Sequence, residues 1–316
     1  YSSTRERAQY MSVPSSKTTV TCDSVAKYQT TDPVDLIRGG TSAVRFSVAA
    51  TPLRIQFNGK ATGDGSMLGA LTLDGDSAVT TPSLRRTIEW LGTPMGPGSI
   101  LGTASVRGHL AWADSTASFE KATLELDGNS ATGTFSAAFG GVRPNIAGKL
   151  TIDSLDLSAY LESTYADVAS EGSWVIAPAR IPFATALDAD VQLAAAQVLL
   201  GGIRVGRTNA SMTVKNGSVA LEVNDARLYG GSLEAKIGAR MDGDALSGKA
   251  QVTLAGVPAE LALSDLANVS SLSGSTNAAF DLAARGRIWG EFVHDIGGIG
   301  QIEIGAGSLH GFDAKG

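Results

Sequence analysis

Three histidines, a few aspartate pairs, two glycine-rich strings and one arginine pair are the residues whose types could do chemistry. His109, His294 and His310 stand apart, none has a second histidine at zinc-ligand spacing, and neither HExxH nor CxxC occurs. Arg107, His109 and Ala111 share one parity of a run whose other parity is Gly108, Leu110 and Trp112. His109 is therefore expected on a solvated strand face. Asp153 with Asp156, and Asp188 with Asp190, have the groups for acid–base catalysis or calcium binding. Their placement at turns and on polar strand positions favours turn formation and solubilising charge. Residues 63–69 (GDGSMLG) and 305–311 (GAGSLHG) match neither GxGxxG nor a Walker loop, and turns or bulges account for them. No GxSxG elbow supplies a nucleophile. Arg85 and Arg86, beside Glu89 and Trp90, could meet a lipid head group, but the pattern favours the exposed face of a short amphipathic helix. No catalytic residue, metal or cofactor is expected, and the chain reads as a non-enzyme.

The elements that would position any site are strands. From about Ser42 the sequence becomes short alternating runs separated by turn residues, as half-buried strands of an antiparallel sheet require. Leu53, Ile55 and Phe57 alternate with Arg54, Gln56 and Asn58. Leu124 and Leu126, Leu150 and Ile152, and Val219, Leu221 and Val223 keep the same parity against polar neighbours. Leu233 and Ile237, Val252 and Leu254, and Ile302 and Ile304 continue it. Each run thus has one apolar and one wet face. Asp74-Gly75, Asp127-Gly128, Asn216-Gly217 and Asp242-Gly243 are dipeptides that tolerate the positive φ of hairpin turns, so consecutive hairpins should form a meander. Residues 82–91 (PSLRRTIEWL) and 258–266 (PAELALSDL) each start with proline and carry apolar residues at helical spacing, predicting two short helices.

The expected organisation is a lead-in over 1–41, with at most a short strand at residues 18–22, and β segments over 42–161 and 183–316. A Ser-, Ala- and Pro-containing connection around Trp174, residues 162–182, would join the two segments. Of the 316 residues 43% are hydrophobic but only 6% aromatic, and 38 are glycine, so the apolar surface is aliphatic and finely spread. A net charge of −6, with 25 scattered basic residues, argues against nucleic acid as a partner. Cys22 stands alone, which excludes an intrachain disulfide. No stretch approaches the roughly 20 apolar residues that span a bilayer, and the chain starts at Tyr1, so any anchoring segment is expected outside it.

A sheet with one aliphatic face must cover that face, because burial is worth about 25 cal/mol per Å². Small inward residues suit a sheet curled into a groove that holds acyl chains. A plain sandwich or elongated scaffold with an ordinary core is the alternative, and composition alone favours it. Several strings resemble the AsmA family of Gram-negative envelope proteins. They are residues 81–92 (TPSLRRTIEWLG), 124–161 (LELDGNSATGTFSAAFGGVRPNIAGKLTIDSLDLSAYL), 187–193 (LDADVQL), 226–243 (ARLYGGSLEAKIGARMDG), 272–286 (LSGSTNAAFDLAARG) and 300–313 (GQIEIGAGSLHGFD). The resemblance implies an all-β fold, an elongated and curled antiparallel sheet or groove with short helical inserts, related to bridge-like lipid-transfer proteins. It implies a periplasmic protein anchored in the inner membrane through a segment outside this chain. Phospholipid would be its partner, and its role would lie in lipid transport towards the outer membrane and in outer-membrane homeostasis. The candidate groove lining is then Leu124, Leu126, Leu150, Ile152, Val219, Leu221, Val223, Leu233, Ile237, Val252, Leu254, Ile302 and Ile304. A non-enzymatic structural or assembly protein of the envelope, with other envelope proteins as partners, is the second reading. An enzyme acting on envelope polysaccharide would need two facing carboxylates about 5 to 10 Å apart, and nothing in the sequence leads to such a pair.

Overall fold

The computed structural model describes residues 3–13, 20–30, 36, 38–65, 71–90, 92, 101–160, 178–267 and 273–308. The chain divides into two compact units, residues 1–150 and 151–316. Both are antiparallel meanders in which strands lie in sequence order and each pairs with its chain neighbours. In neither unit does the first strand pair with the last, so the all-β fold is an open sheet rather than a closed barrel.

The first unit holds β1 (Ser3–Val13), β2 (Val20–Thr30), β3 (Thr41–Ala50), β4 (Leu53–Thr62), β5 (Thr72–Thr81), β6 (Ala104–Ala113), β7 (Thr116–Leu126) and β8 (Asn129–Ala138). Strand β9 (Asn145–Asp156) crosses the boundary between the units. The expectation of a lead-in with only a short strand near Cys22 is corrected here: β1 and β2 pair over eleven residues each, and β2 continues onto β3. Helix α1 (Leu84–Trp90) falls where Pro82 and the helical spacing predict it. Its first turn is closed by Ser83, whose Oγ accepts the Arg86 N–H at 3.3 Å, and Gly92 follows it with φ +95°. The chain returning from the helix is tied down by Asp127 in the β7–β8 turn. Its carboxylate accepts the Leu101 N–H at 2.9 Å and the Gly102 N–H at 2.7 Å.

The core of this unit is an aromatic cluster on one face of the sheet. Phe57, Leu110, Phe119 and Ala122 are its buried centre, with Phe46, Leu73, Trp112, Leu124 and Phe135 packed around them. Phe57 is 2% exposed although the residues packed on it come from strands of the same sheet. Glycine makes room for that packing. Gly59 faces Gly75 across β4–β5, and a Cβ on Gly75 would lie 2.4 Å from the Gly59 Cα, a backbone approach no side chain could share. A Cβ on Gly59 would also meet the Phe57 ring at 2.8 Å. A bulge in β7 completes the arrangement: Phe119 pairs with Leu110 and Phe135, the register then shifts, and Lys121 takes φ +53°. Phe119 and Ala122, three residues apart, can therefore both turn inward, which unbroken alternation would forbid.

The second unit holds β10 (Asp188–Leu200), β11 (Ile203–Lys215), β12 (Ser218–Leu228), β13 (Gly231–Asp242), β14 (Ala245–Pro258), β15 (Ser275–Gly286) and β16 (Gly297–Ile304). Among its described residues are the helices α2 (Pro182–Ala186), α3 (Ala259–Ala267) and α4 (Trp289–His294). The predicted helix after Pro258 is α3. Helices α2 and α4, five and six residues long, were not expected. The connection placed at 162–182 lies outside the described residues up to 177.

Helix α3 is pinned to the β12–β13 turn by a hydrogen bond from the Tyr229 hydroxyl to the Asp265 carboxylate. Burial first, and the Asp265 carboxylate second, push the Tyr229 phenol up to about 12. An unfolded tyrosine titrates near 10, so the folded state holds this proton more tightly. The link should contribute in full below about pH 10 and be lost as pH rises towards about 12. The stability difference between wild type and Tyr229→Phe is thus expected to be constant below about pH 10 and to shrink through that window. Thermal unfolding at stepped pH checks this, and a difference that persists at pH 12 would refute it.

Candidate functional site

The register of the second unit converts the alternation of single strands into continuous apolar rows. One row runs Val191, Met212, Leu221, Ile237, Ala250 and Leu282 to Gly298, one residue per strand. The neighbouring row runs Leu193, Ala210, Val223, Ala235, Val252 and Phe280 to Gly300. Neither row contains a polar side chain, and none of these residues is buried. Ile237 is 44% exposed.

The flanking rows on the same face behave differently. On one side lie Ala195, Thr208, Ala226, Leu233, Leu254, Ala278 and Ile302, of which Ala195, Thr208, Ala226 and Ala278 are buried. Bulges between Val205 and Thr208, Val223 and Ala226, and Leu254 and Val257 gather at this side, where Val257 and Ala259 are buried at the start of α3. On the other side Val214, Val219, Ala239, Gly248 and Ala284 follow one another, and the Phe292 ring of α4 occupies the place a Gly248 Cβ would take, 2.7 Å from it. Two central rows without a buried residue thus lie between flanking rows that each contain buried members.

Of the residues singled out in the sequence, Val219, Leu221, Val223, Leu233, Val252 and Leu254 are half-buried on this face. Ile302 and Ile304, on β16, are 59% and 45% exposed. Leu124 and Leu126 lie in the first unit, half-buried, and Leu124 packs against the aromatic cluster. Leu150 passes close to Gly133, where a Cβ would stand 3.1 Å from its Cα. Ile152 is buried. The structure therefore places Leu221, Val223, Ile237 and Val252 in the two central rows and Val219, Leu233, Leu254 and Ile302 in the flanking rows of the same face, whereas Leu124 in the first unit packs on the aromatic cluster. Sequence reading missed Val191, Met212, Ala250, Phe280 and Leu282, which the rows require; alternation within β10, β11, β14 and β15 was the available signal.

The opposite face carries the charged side chains of these strands, some of them paired. Lys236, Gln251 and Asp281 line up across β13–β15, with Gln251 Nε2 donating to the Asp281 carboxylate at 3.2 Å. Arg285 meets Asp242 at 3.1 Å. In the first unit, taken by itself, His109 lies on a solvated strand face, 3.3 Å from Asp74 and 3.7 Å from Asp76. Asp156 keeps its carboxyl below the usual range by accepting hydrogen bonds from Ser158, and Asp188 accepts the Asn216 N–H at 3.2 Å. Both are turn-forming roles. Among the described residues no cluster of three His, Cys, Asp or Glu could hold a metal, and no helix is long and apolar enough to cross a membrane.

The sequence model of the AsmA family matches residues 60–315. No curated protein and no solved structure matches the chain.

Proposed function

Since the chain belongs to the AsmA family of envelope proteins, we propose that its second unit binds phospholipid by the acyl chains and lets them shift along the apolar face. The observation that carries this reading is the pair of polar-free rows that cross seven strands without a buried residue. An acyl chain needs apolar contact, contributing about 0.8 kcal/mol per buried methylene, and no directional partner. A face of Val, Leu, Ile and Ala offers that contact and little else. The polar face would stay in water, and no residue would act as a catalyst. Anchoring in the inner membrane outside this chain, a periplasmic location and a share in lipid delivery to the outer membrane follow as parts of the same proposal.

Protein purified without detergent is expected to carry phospholipid at close to stoichiometric amounts, measured by mass spectrometry of an organic extract. Lipid-free protein that also takes up none from vesicles would sink the reading. The second reading, a structural or assembly role, draws on the aromatic core of the first unit, whose apolar face is filled by its own side chains.

A further inference from the structure

The two units treat their apolar faces in opposite ways. In the first unit the two rows that pass through Phe57 and Phe119 contain buried residues on β4, β5, β6 and β7: Phe57, Ser77, Leu110, Phe119 and Ala122. Gly59, Gly75, Gly108 and Gly133 lie in the same rows, and the Phe57 ring reaches over Gly59, where a Cβ would meet it at 2.8 Å. Phe46 stacks on Phe57 at 5.2 Å between ring centroids, and Phe119 meets Phe135 at 6.3 Å. In the second unit the two corresponding central rows have one aromatic residue, Phe280, and no buried member.

We infer that acyl chains are held in the second unit alone, lying across its strands in the two central rows, and that the first unit's face is closed by its own aromatic side chains. This rests on the lipid-binding reading above and adds where the chains lie. Close-packed rings over glycine leave no volume for a methylene chain without disrupting contacts that already bury the face. The open rows have matching dimensions. Six steps of about 4.8 Å between strands span about 29 Å, against about 15 Å for an acyl chain in one leaflet of a bilayer core of about 30 Å. A row can therefore hold one chain with room to move, or two end to end. Two rows about 7 Å apart, the rise of two strand residues, suit the two chains of one phospholipid, and the margins under α3 and α4 confine them sideways.

The test uses phosphatidylcholine vesicles in which one acyl chain carries a photoreactive diazirine. The chain is incubated with them, illuminated, digested, and the adducts mapped by mass spectrometry. Peptides bearing Leu221, Ile237 and Leu282 should be labelled at least ten-fold more than those bearing Phe57, Leu110 and Phe119. Comparable labelling of both units would overturn the inference and leave the lipid reading standing. Labelling of neither would overturn the lipid reading and this inference with it. Phe135→Ala removes part of the aromatic cover at a half-buried position while sparing Phe57, and should raise first-unit labelling several-fold. Unchanged labelling in that variant, with its fold intact by circular dichroism, would refute closure by the rings.

Discussion

Ile237→Glu is expected to cut the phospholipid that co-purifies with the protein at least ten-fold while leaving the fold intact. Ile237 pairs with Leu221 on one side and Ala250 on the other, at the middle of a polar-free row. At 44% exposure the position can accept a carboxylate that points into water, so the apo protein should lose little stability. An acyl chain laid across that position would strip water from the charge, at an effective cost of several kcal/mol. Each 1.4 kcal/mol is a factor of ten in affinity, so even partial desolvation meets the expected loss. The control is Lys236→Glu, the adjacent residue on the wet face, which changes the charge by more and should leave lipid content unchanged. Equal lipid in wild type and Ile237→Glu would show that the apolar rows do not hold acyl chains.

The largest effect on stability is expected from Phe57→Ala, about 3 to 5 kcal/mol by chemical denaturation. The position within that range depends on how well the surroundings collapse into the space left behind. Phe57 is paired with Ser77 and followed along its row by Gly108, and Gly59 stands beside its ring. These offer little bulk to fill the space, whereas the Phe46 ring stacked on Phe57 at 5.2 Å can relax into part of it, so the middle of the range is expected. A loss below about 1 kcal/mol would mean that the aromatic cluster does not organise the first unit.

Much of the fold could be read from alternation, because a half-buried strand imposes a two-residue period that polar and aliphatic residues record directly. The parity of Leu221 and Val223, and of Leu233, was correctly read. The helix after Pro82 was equally legible, since proline, Ser83 and the apolar spacing of Leu84 and Ile88 agree. Strands β1 and β2 were not, because STRERAQYMSV and VTCDSVAKYQT carry too few apolar residues for their pairing to leave a period in the sequence. Helices α2 and α4 complete barely more than one turn, too short for helical spacing to emerge, although Pro182 and Glu291 are recognisable first-turn residues.

The candidate face was legible by residue but not by arrangement. Which residue of one strand stands beside which residue of the next depends on turn length and bulges. The bulge that lets Phe119 and Ala122 share a face is invisible to a strict two-residue count. The contrast between a filled and an open face was hidden for a related reason. Leu124 and Leu221 look alike in their local sequence, and what separates them is a set of glycines and rings contributed by other strands.

Strict sequence order among the strands also governs how such a chain can fold. Strands β10 to β14 follow one another through two-residue turns, so little loop entropy is lost before each of those ladders forms. Folding can start at any favourable hairpin and spread outwards, each finished strand presenting the edge on which its successor docks, much as in repeat proteins. A polypeptide emerging gradually from a pore could thus consolidate behind its leading end, without waiting for distant segments to arrive.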